Sequence, residues 1–238
     1  MTTVVKGTVS LAGSVFLCDT PIMFEQQAAL VFACKVIPLA QTESTLGAVQ
    51  LAKVLSECHM SALELAFRTQ HGQEGFTQIA HCIEAAKLTC PSLLVGAGTV
   101  TSVQLASLAK NAGADFAVSP GFNPAVVDWC VEHVFPIFPG VCTPGEIEQA
   151  LERGLHVLKF FPAEAMGGVR FLDAMKGPFS GVTFFPTGGI NQANAADYLA
   201  LDNVAAVGGS WMCPKKLIDL NDWQEISRLC LAATALAH

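Results

Sequence analysis

The chain repeats one unit: a short apolar run, a turn rich in Gly, Pro, Ser or Thr, then a helical pattern. The apolar runs are Ala33 to Leu39, Ala62 to Phe67, Leu93 to Ala97, Asp115 to Ser119, Phe135 to Pro139, His156 to Phe161, Val182 to Thr187 and Val204 to Gly208. Their starts lie roughly 20 to 30 residues apart, the length of a strand–helix unit. Eight such units predict a closed α/β barrel of the (β/α)8 TIM type, in one domain spanning residues 1–238. An open doubly wound sheet is the alternative that strand count leaves standing. Residues 1–32 precede the first unit and are expected to be an N-terminal extension packed on the barrel, with a helix from Gln26 to Phe32 covering its floor.

The helices carry start and stop signals. Thr143-Pro144-Gly145-Glu146 reads as a capping box with Pro at the first helical position, and Thr101-Ser102-Val103-Gln104 as a weaker one before Leu105. Gly113 and Gly154 sit where helices are expected to end. Asn221 or Asp222 is placed to cap a last helix. Trp223, Ile226, Leu229, Cys230, Ala233 and Leu236 fall on one face of it.

Charge narrows the function classes. Only 14% of residues are charged, against roughly 25% in ordinary soluble domains. So little charge implies apolar surface hidden in a homo-oligomer. The formal net charge of −7 argues against nucleic acid or an anionic membrane as partner, but permits a small anion held at helix N-termini. The nine cysteines are scattered without a Cys-x-x-Cys pair, which predicts reduced thiols and a cytoplasmic setting. Lys6 followed by the run Thr8 to Cys18 has too weak a positive region, and no clean cleavage site, for a secretion signal. No apolar stretch approaches the ~18 residues of a membrane helix.

In a parallel α/β barrel, chemistry sits where strands end at their C-termini. Strand alternation from His156 to Pro162 puts Val157, Lys159 and Phe161 on one face and Leu158 and Phe160 on the other. A lysine facing the lumen is either neutral and nucleophilic or a structural partner of a carboxylate, and the spacing allows both. If Leu63 to Thr69 is a strand, Glu64, Ala66 and Arg68 share its inner face and suggest an acid–base group beside an anion clamp. The same residues in a helix would be an i,i+4 ion pair. Thr187-Gly188-Gly189 and Gly208-Gly209-Ser210 follow the seventh and eighth strands, where such barrels bind phosphate; tight turns alone would also explain them. Gly96-Ala97-Gly98-Thr99 lacks the third glycine and the acid of a dinucleotide site. The six histidines form no metal motif, and no Gly-x-Ser-x-Gly elbow is present.

The segments LELAFRT (63–69), VGAGTV (95–100), AVSPGF (117–122), FPGVCTPGE (138–146), LKFFPAEAMGG (158–168), KGPFSGVTFFPTGGI (176–190) and VGGSW (207–211) resemble the 2-keto-3-deoxy-6-phosphogluconate and 4-hydroxy-2-oxoglutarate aldolase family. The likeness runs from about residue 34 to about 232, and LKFFPAE and FPTGGI are its specific parts. The resemblance implies a metal-free, cofactor-free class I lyase on a homotrimer of (β/α)8 barrels. It would act on a small 2-keto acid through a lysine Schiff base. By the resemblance, Lys159 is the Schiff-base amine and Glu64 the acid–base carboxylate. Arg68 and Thr99 lie around the pyruvate carboxylate, and Pro120 and Phe161 shape the pyruvate pocket. Thr187, Gly188, Gly189, Gly209 and Ser210 form the phosphate site.

Three positions depart from the family pattern. Ala66 stands where Thr is expected, Met166 replaces an Asn, and Pro38-Leu39-Ala40-Gln41 lacks an arginine that some relatives carry. These bear on substrate preference more than on reaction type. The expected reaction is cleavage of 2-keto-3-deoxy-6-phosphogluconate to pyruvate and glyceraldehyde 3-phosphate. Alternatives are an aldolase for 4-hydroxy-2-oxoglutarate or the galactonate epimer, an isomerase or epimerase using Glu64, and a non-catalytic metabolite-binding barrel.

Overall fold

Every predicted apolar run contains a strand. The computed structural model describes residues 20–237; the Lys6 to Cys18 run and the first 19 residues of the expected extension lie outside the described residues. The strands are β1 (Val36–Ala40), β2 (Ala62–Ala66), β3 (Leu94–Gly98), β4 (Phe116–Val118), β5 (Ile137–Phe138), β6 (Gly140–Val141), β7 (Val157–Phe160), β8 (Thr183–Pro186) and β9 (Val207–Gly209). The fifth run holds β5 and ends at Pro139, which separates it from β6, a short strand the runs did not anticipate. Proline has no amide to donate to a ladder. The strand pairs with β4 before Pro139 and with β7 after it.

Six strands form one sheet in the order β5-β4-β3-β2-β1-β9, and three form another in the order β6-β7-β8. Each strand pair in the two ladders is parallel. Parallel neighbours need a crossover, and helices supply it. The helices, of which α2 to α8 lie between strands, are α1 (Thr20–Val31), α2 (Thr45–Glu57), α3 (Gly72–Thr89), α4 (Val103–Asn111), α5 (Pro124–Glu132), α6 (Pro144–Leu151), α7 (Gly168–Met175), α8 (Ala195–Leu199), α9 (Lys215–Asp219) and α10 (Trp223–Thr234). Isolated parallel bridges join Phe184 to Val204 and Thr187 to Gly208, so the far edge of the small sheet meets β9.

Local signals explain most boundaries. Thr143 and Glu146 form the expected reciprocal capping box, with Pro144 at the start of α6. Asp222 caps α10 by accepting from the Glu225 amide. Gly113 and Gly154 follow helices with φ of 79° and 71°, a region open to glycine without steric cost. Two expectations are corrected. The cap of α4 is Ser102, which accepts from Leu105 N; a box between Thr101 and Gln104 does not form because the helix starts one residue later. The N-terminal helix starts at Thr20 rather than Gln26.

Two cores result from the alternation of side chains along each strand. The outer one lies between sheets and helices and takes Leu63, Leu65, Phe67, Leu158 and Phe160. The inner one takes Ile37, Ala62, Phe116, Val118, Phe138, Phe185 and Ala206, drawn from both sheets. Helix α1 adds Ala28 and Val31 to it, followed by Phe32. The Phe32 ring lies 5.0 Å from both Phe138 and Phe185, and Phe116 lies 5.6 Å from Phe138. Burial of each such ring contributes about 1.5–3 kcal/mol. Gly96 makes room for this packing, since a Cβ there would stand 2.1 Å from the Phe116 ring.

Candidate active site

Strand β2 places Glu64 two residues beyond Ala62 on the inner face, and β7 places Lys159 two residues beyond Val157. Both side chains are buried, Glu64 with 0% and Lys159 with 2% of their surface exposed. Lys159 Nζ lies 3.6 Å from Glu64 Oε1. That is close enough for strong attraction in a low-dielectric site but too long for a good hydrogen bond. Both Glu64 oxygens are buried without a hydrogen-bond partner, a costly state unless a substrate or its reaction intermediates supply the partner. Burial pulls the Lys159 pKa below the ordinary lysine range; Glu64 opposes this and Arg68 adds to it. The helical reading of residues 63–69 is excluded, because β2 covers Ala62–Ala66.

Glycine creates the space for the carboxylate. A Cβ on Gly98 would sit 2.2 Å from Glu64 Oε1. The segment VGAGTV, uninformative as a nucleotide motif, is thus a cavity-forming strand. Thr99 follows with φ of 59°, a strained conformation for a β-branched residue and a recurring mark of functional sites. Its hydroxyl accepts from Arg68 Nε at 2.9 Å. Arg68 itself lies beyond the end of β2 and is exposed, so it borders the buried pair from the rim rather than sharing its burial. Gln41, in the segment Pro38-Leu39-Ala40-Gln41 that lacks an arginine expected in some relatives, donates from Nε2 to the Arg68 carbonyl at 2.8 Å.

Phe161 and Pro120 lie beside Lys159, and Gly188 lies beside Phe161. Phe161 lies below its amine, with 5.3 Å from Nζ to the ring centroid. Gly140 is the register partner of Lys159, and a Cβ on it would stand 2.4 Å from the Pro120 carbonyl. Pro120 is thereby held against the strand beside the lysine. Gly188, with φ of 100°, lies next to Phe161: a Cβ there would be 3.1 Å from the ring. Thr187 is buried and its hydroxyl has no partner. Gly189 is exposed with φ of 83° and Ser210 is exposed past the end of β9.

The Gly208-Gly209 pair is not a turn, which corrects that expectation. Both residues lie inside β9, and neither has a positive φ. They are glycine because of neighbours: a Cβ on Gly208 would meet the Phe185 ring at 2.7 Å and Thr187 Oγ1 at 2.8 Å, and one on Gly209 would meet Trp211.

Sequence reasoning missed the exposed Glu43–His71 pair at 2.8 Å and the Gln41–Arg68 bond, both joining the loop after β1 to that after β2. No sequence signal marks contacts between residues about 28 positions apart. Among the described residues, no three His, Cys, Asp or Glu side chains cluster as metal ligands. The eight cysteines among them are free thiols. No described helix is long and apolar enough to cross a membrane.

A parallel α/β fold with a buried amine facing a buried carboxylate at the C-terminal ends of its strands is the kind of site in which acid–base or covalent chemistry is built. The family model for KDPG and KHG aldolase matches residues 28–229, and the chain belongs to that family. It is 43% identical over 195 residues to the 2-dehydro-3-deoxy-phosphogluconate aldolase of Haemophilus influenzae, covering 82% of this chain and 89% of that one. Two solved structures are also similar. One is the KDPG aldolase of Legionella pneumophila with pyruvate captured as a covalent carbinolamine: 37% identity, TM-score 0.81, covering 87% of this chain and 98% of that one. The other is the 2-keto-3-deoxy-6-phosphogluconate aldolase of Zymomonas mobilis with 3-phosphoglycerate: 31% identity, TM-score 0.80, covering 90% and 95%.

Proposed function

We infer that this protein is a class I aldolase cleaving 2-keto-3-deoxy-6-phosphogluconate to pyruvate and glyceraldehyde 3-phosphate through a Schiff base on Lys159. The observation that carries the reading is the buried Lys159 amine 3.6 Å from a Glu64 carboxylate whose oxygens lack partners. The carbinolamine of the Legionella relative supports the same bond here.

Neutral Lys159 attacks the C2 ketone of the substrate. Glu64, having taken the ammonium proton that leaves Lys159 neutral, delivers it to the carbinolamine hydroxyl, water leaves, and an iminium forms. Glu64, now a carboxylate, takes the proton of the C4 hydroxyl directly or through one water. The C3–C4 electron pair moves into the iminium, giving an enamine and free glyceraldehyde 3-phosphate. Protonation of the enamine at C3 and hydrolysis release pyruvate and restore the amine. Arg68 and Thr99 hold the substrate carboxylate, with Pro120 and Phe161 as walls. Thr187, Gly188, Gly189, Gly209 and Ser210 receive the phosphate. No step calls for a metal or cofactor.

The same reading includes closure of the two sheets into one (β/α)8 barrel, supported by the bridges to β9 and by an inner core shared between both sheets. Residues 20–32 belong to it as an extension packed on the barrel, supported by the position of Phe32. A cytoplasmic homotrimer is part of the proposal, supported by the low charge content. Incubation with pyruvate and sodium borohydride, followed by peptide mass spectrometry, tests it: a pyruvate-derived adduct on Lys159 is expected, and its absence from every lysine of folded protein removes the Schiff base.

A further inference from the structure

Tyr198, the single tyrosine of the chain, lies on α8 and is fully buried. A buried phenol needs an acceptor, and a backbone carbonyl would serve. Here the hydroxyl donates instead to Oε1 of Glu164, 34 residues earlier. Burial and then the Glu164 carboxylate raise the phenol pKa well above its usual value, so it remains a donor across the physiological range.

Glu164 begins the turn Glu164–Met166 that follows β7, five residues after Lys159. That turn is bound to the next one over: the Ala163 amide donates to Thr187 O at 2.9 Å and the Glu164 amide to Gly188 O at 3.1 Å. Side-chain packing repeats the connection. A Cβ on Gly189 would stand 2.6 Å from Glu164 Cβ and Cγ. A Cβ on Gly168 would stand 2.9 Å from the Tyr198 hydroxyl and 3.2 Å from Glu164 Oε1. Two backbone positions are thus left bare around one hydrogen bond. The carboxylate is also beside a turn suited to phosphate, where a freely rotating Glu164 would repel the ligand. Engagement of Oε1 by Tyr198 keeps it directed inward.

We propose that Tyr198 is a positioning residue for catalysis: through Glu164 it fixes the Gly188-Gly189 turn relative to β7, and so sets how a substrate phosphate lies with respect to the Lys159 amine. This rests on the aldolase reading above. Neither Tyr198 nor Glu164 touches the reacting carbons in this assignment, so the pair acts on phosphate placement and leaves the bond to Lys159 alone.

The test compares full-length wild type, Tyr198→Phe, Glu164→Gln, Glu164→Ala and the Tyr198→Phe/Glu164→Ala double variant. Kinetics are measured on 2-keto-3-deoxy-6-phosphogluconate and on unphosphorylated 4-hydroxy-2-oxoglutarate, with pyruvate–borohydride adduct formation alongside. In Tyr198→Phe the KM for the phosphorylated substrate rises about tenfold, as expected for loss of a charge-assisted hydrogen bond that orders a binding turn. The unphosphorylated substrate shows a much smaller change, and the adduct still forms. Glu164→Ala reproduces the effect, the double variant is no worse than either single one, and Glu164→Gln, which keeps an acceptor, is affected least. If Tyr198→Phe fails to fold, Glu164→Ala carries the same comparison. Equal changes on both substrates, or none on the phosphorylated one, overturn the proposal while leaving the aldolase reading intact. A wild type that forms no adduct overturns that reading and this one with it.

Discussion

The same strands build two different interiors. Toward their N-terminal ends the inner face is dry and aromatic, with Phe32, Phe116, Phe138 and Phe185 in contact. Toward the C-terminal ends it holds Lys159, Glu64 and Thr187, with buried polar atoms that lack partners. The change occurs within one step of the pleat: Ala62 to Glu64, Val157 to Lys159, Phe185 to Thr187. Two residues along a strand span only about 6–7 Å. The lower layer stabilises the fold and excludes water from below. The upper layer is destabilising by itself and persists because the lower one is well packed.

Substitutions can break this contrast from either side. The largest effect is expected from Lys159→Ala, which removes the nucleophile and lowers kcat by roughly a thousandfold or more while the protein still folds. Steady-state kinetics and circular dichroism separate the two; near wild-type turnover would remove Lys159 from the mechanism. Phe32→Ala acts on the lower layer. It should destabilise by about 3–5 kcal/mol in denaturant unfolding, with kcat per folded molecule retained. An equal loss of activity in folded protein would mean that the two layers are not separable.

A third change inverts the usual sign. Lys159→Met with Glu64→Gln removes the buried amine and the carboxylate facing it, abolishes activity and should stabilise by about 1–4 kcal/mol. Its pH dependence follows from the lowered Lys159 pKa. The unfolded chain protonates this lysine below its ordinary pKa of about 10.4, whereas the folded chain resists until lower pH. The penalty therefore grows as pH falls from that value toward the folded pKa, and the advantage of the variant grows with it. Unfolding curves at several pH values check this. An advantage that shrinks on acidification would contradict the direction of the shift.

Much of this contrast was legible from the residues. The spacing of apolar runs located every strand but β6, and alternation placed Lys159 and Glu64 inward and Leu158, Phe160, Leu63 and Leu65 outward, because both are properties of a single strand. What escaped was set between strands. Gly98 and Gly96 exist for Glu64 and Phe116, and Gly208 for Phe185, so a glycine that looks like a turn in one dimension is a pocket wall in three. The start of α1 was missed for another reason: residues before Gln26 carry no helical periodicity strong enough to extend the helix. The Tyr198–Glu164 bond joins residues 34 apart and has no local signal.

The break between β5 and β6 at Pro139 has a mechanical consequence. Glu64 belongs to the six-stranded ladder and Lys159 to the three-stranded one, with Pro139 at the seam. The backbone hydrogen bonds of neither ladder span the distance between amine and carboxylate. Lys159 is tied to that seam by its own amide, which donates to the Pro139 carbonyl at 3.0 Å, so a shift of the chain at Pro139 would move the amine relative to Glu64 while both ladders keep their register.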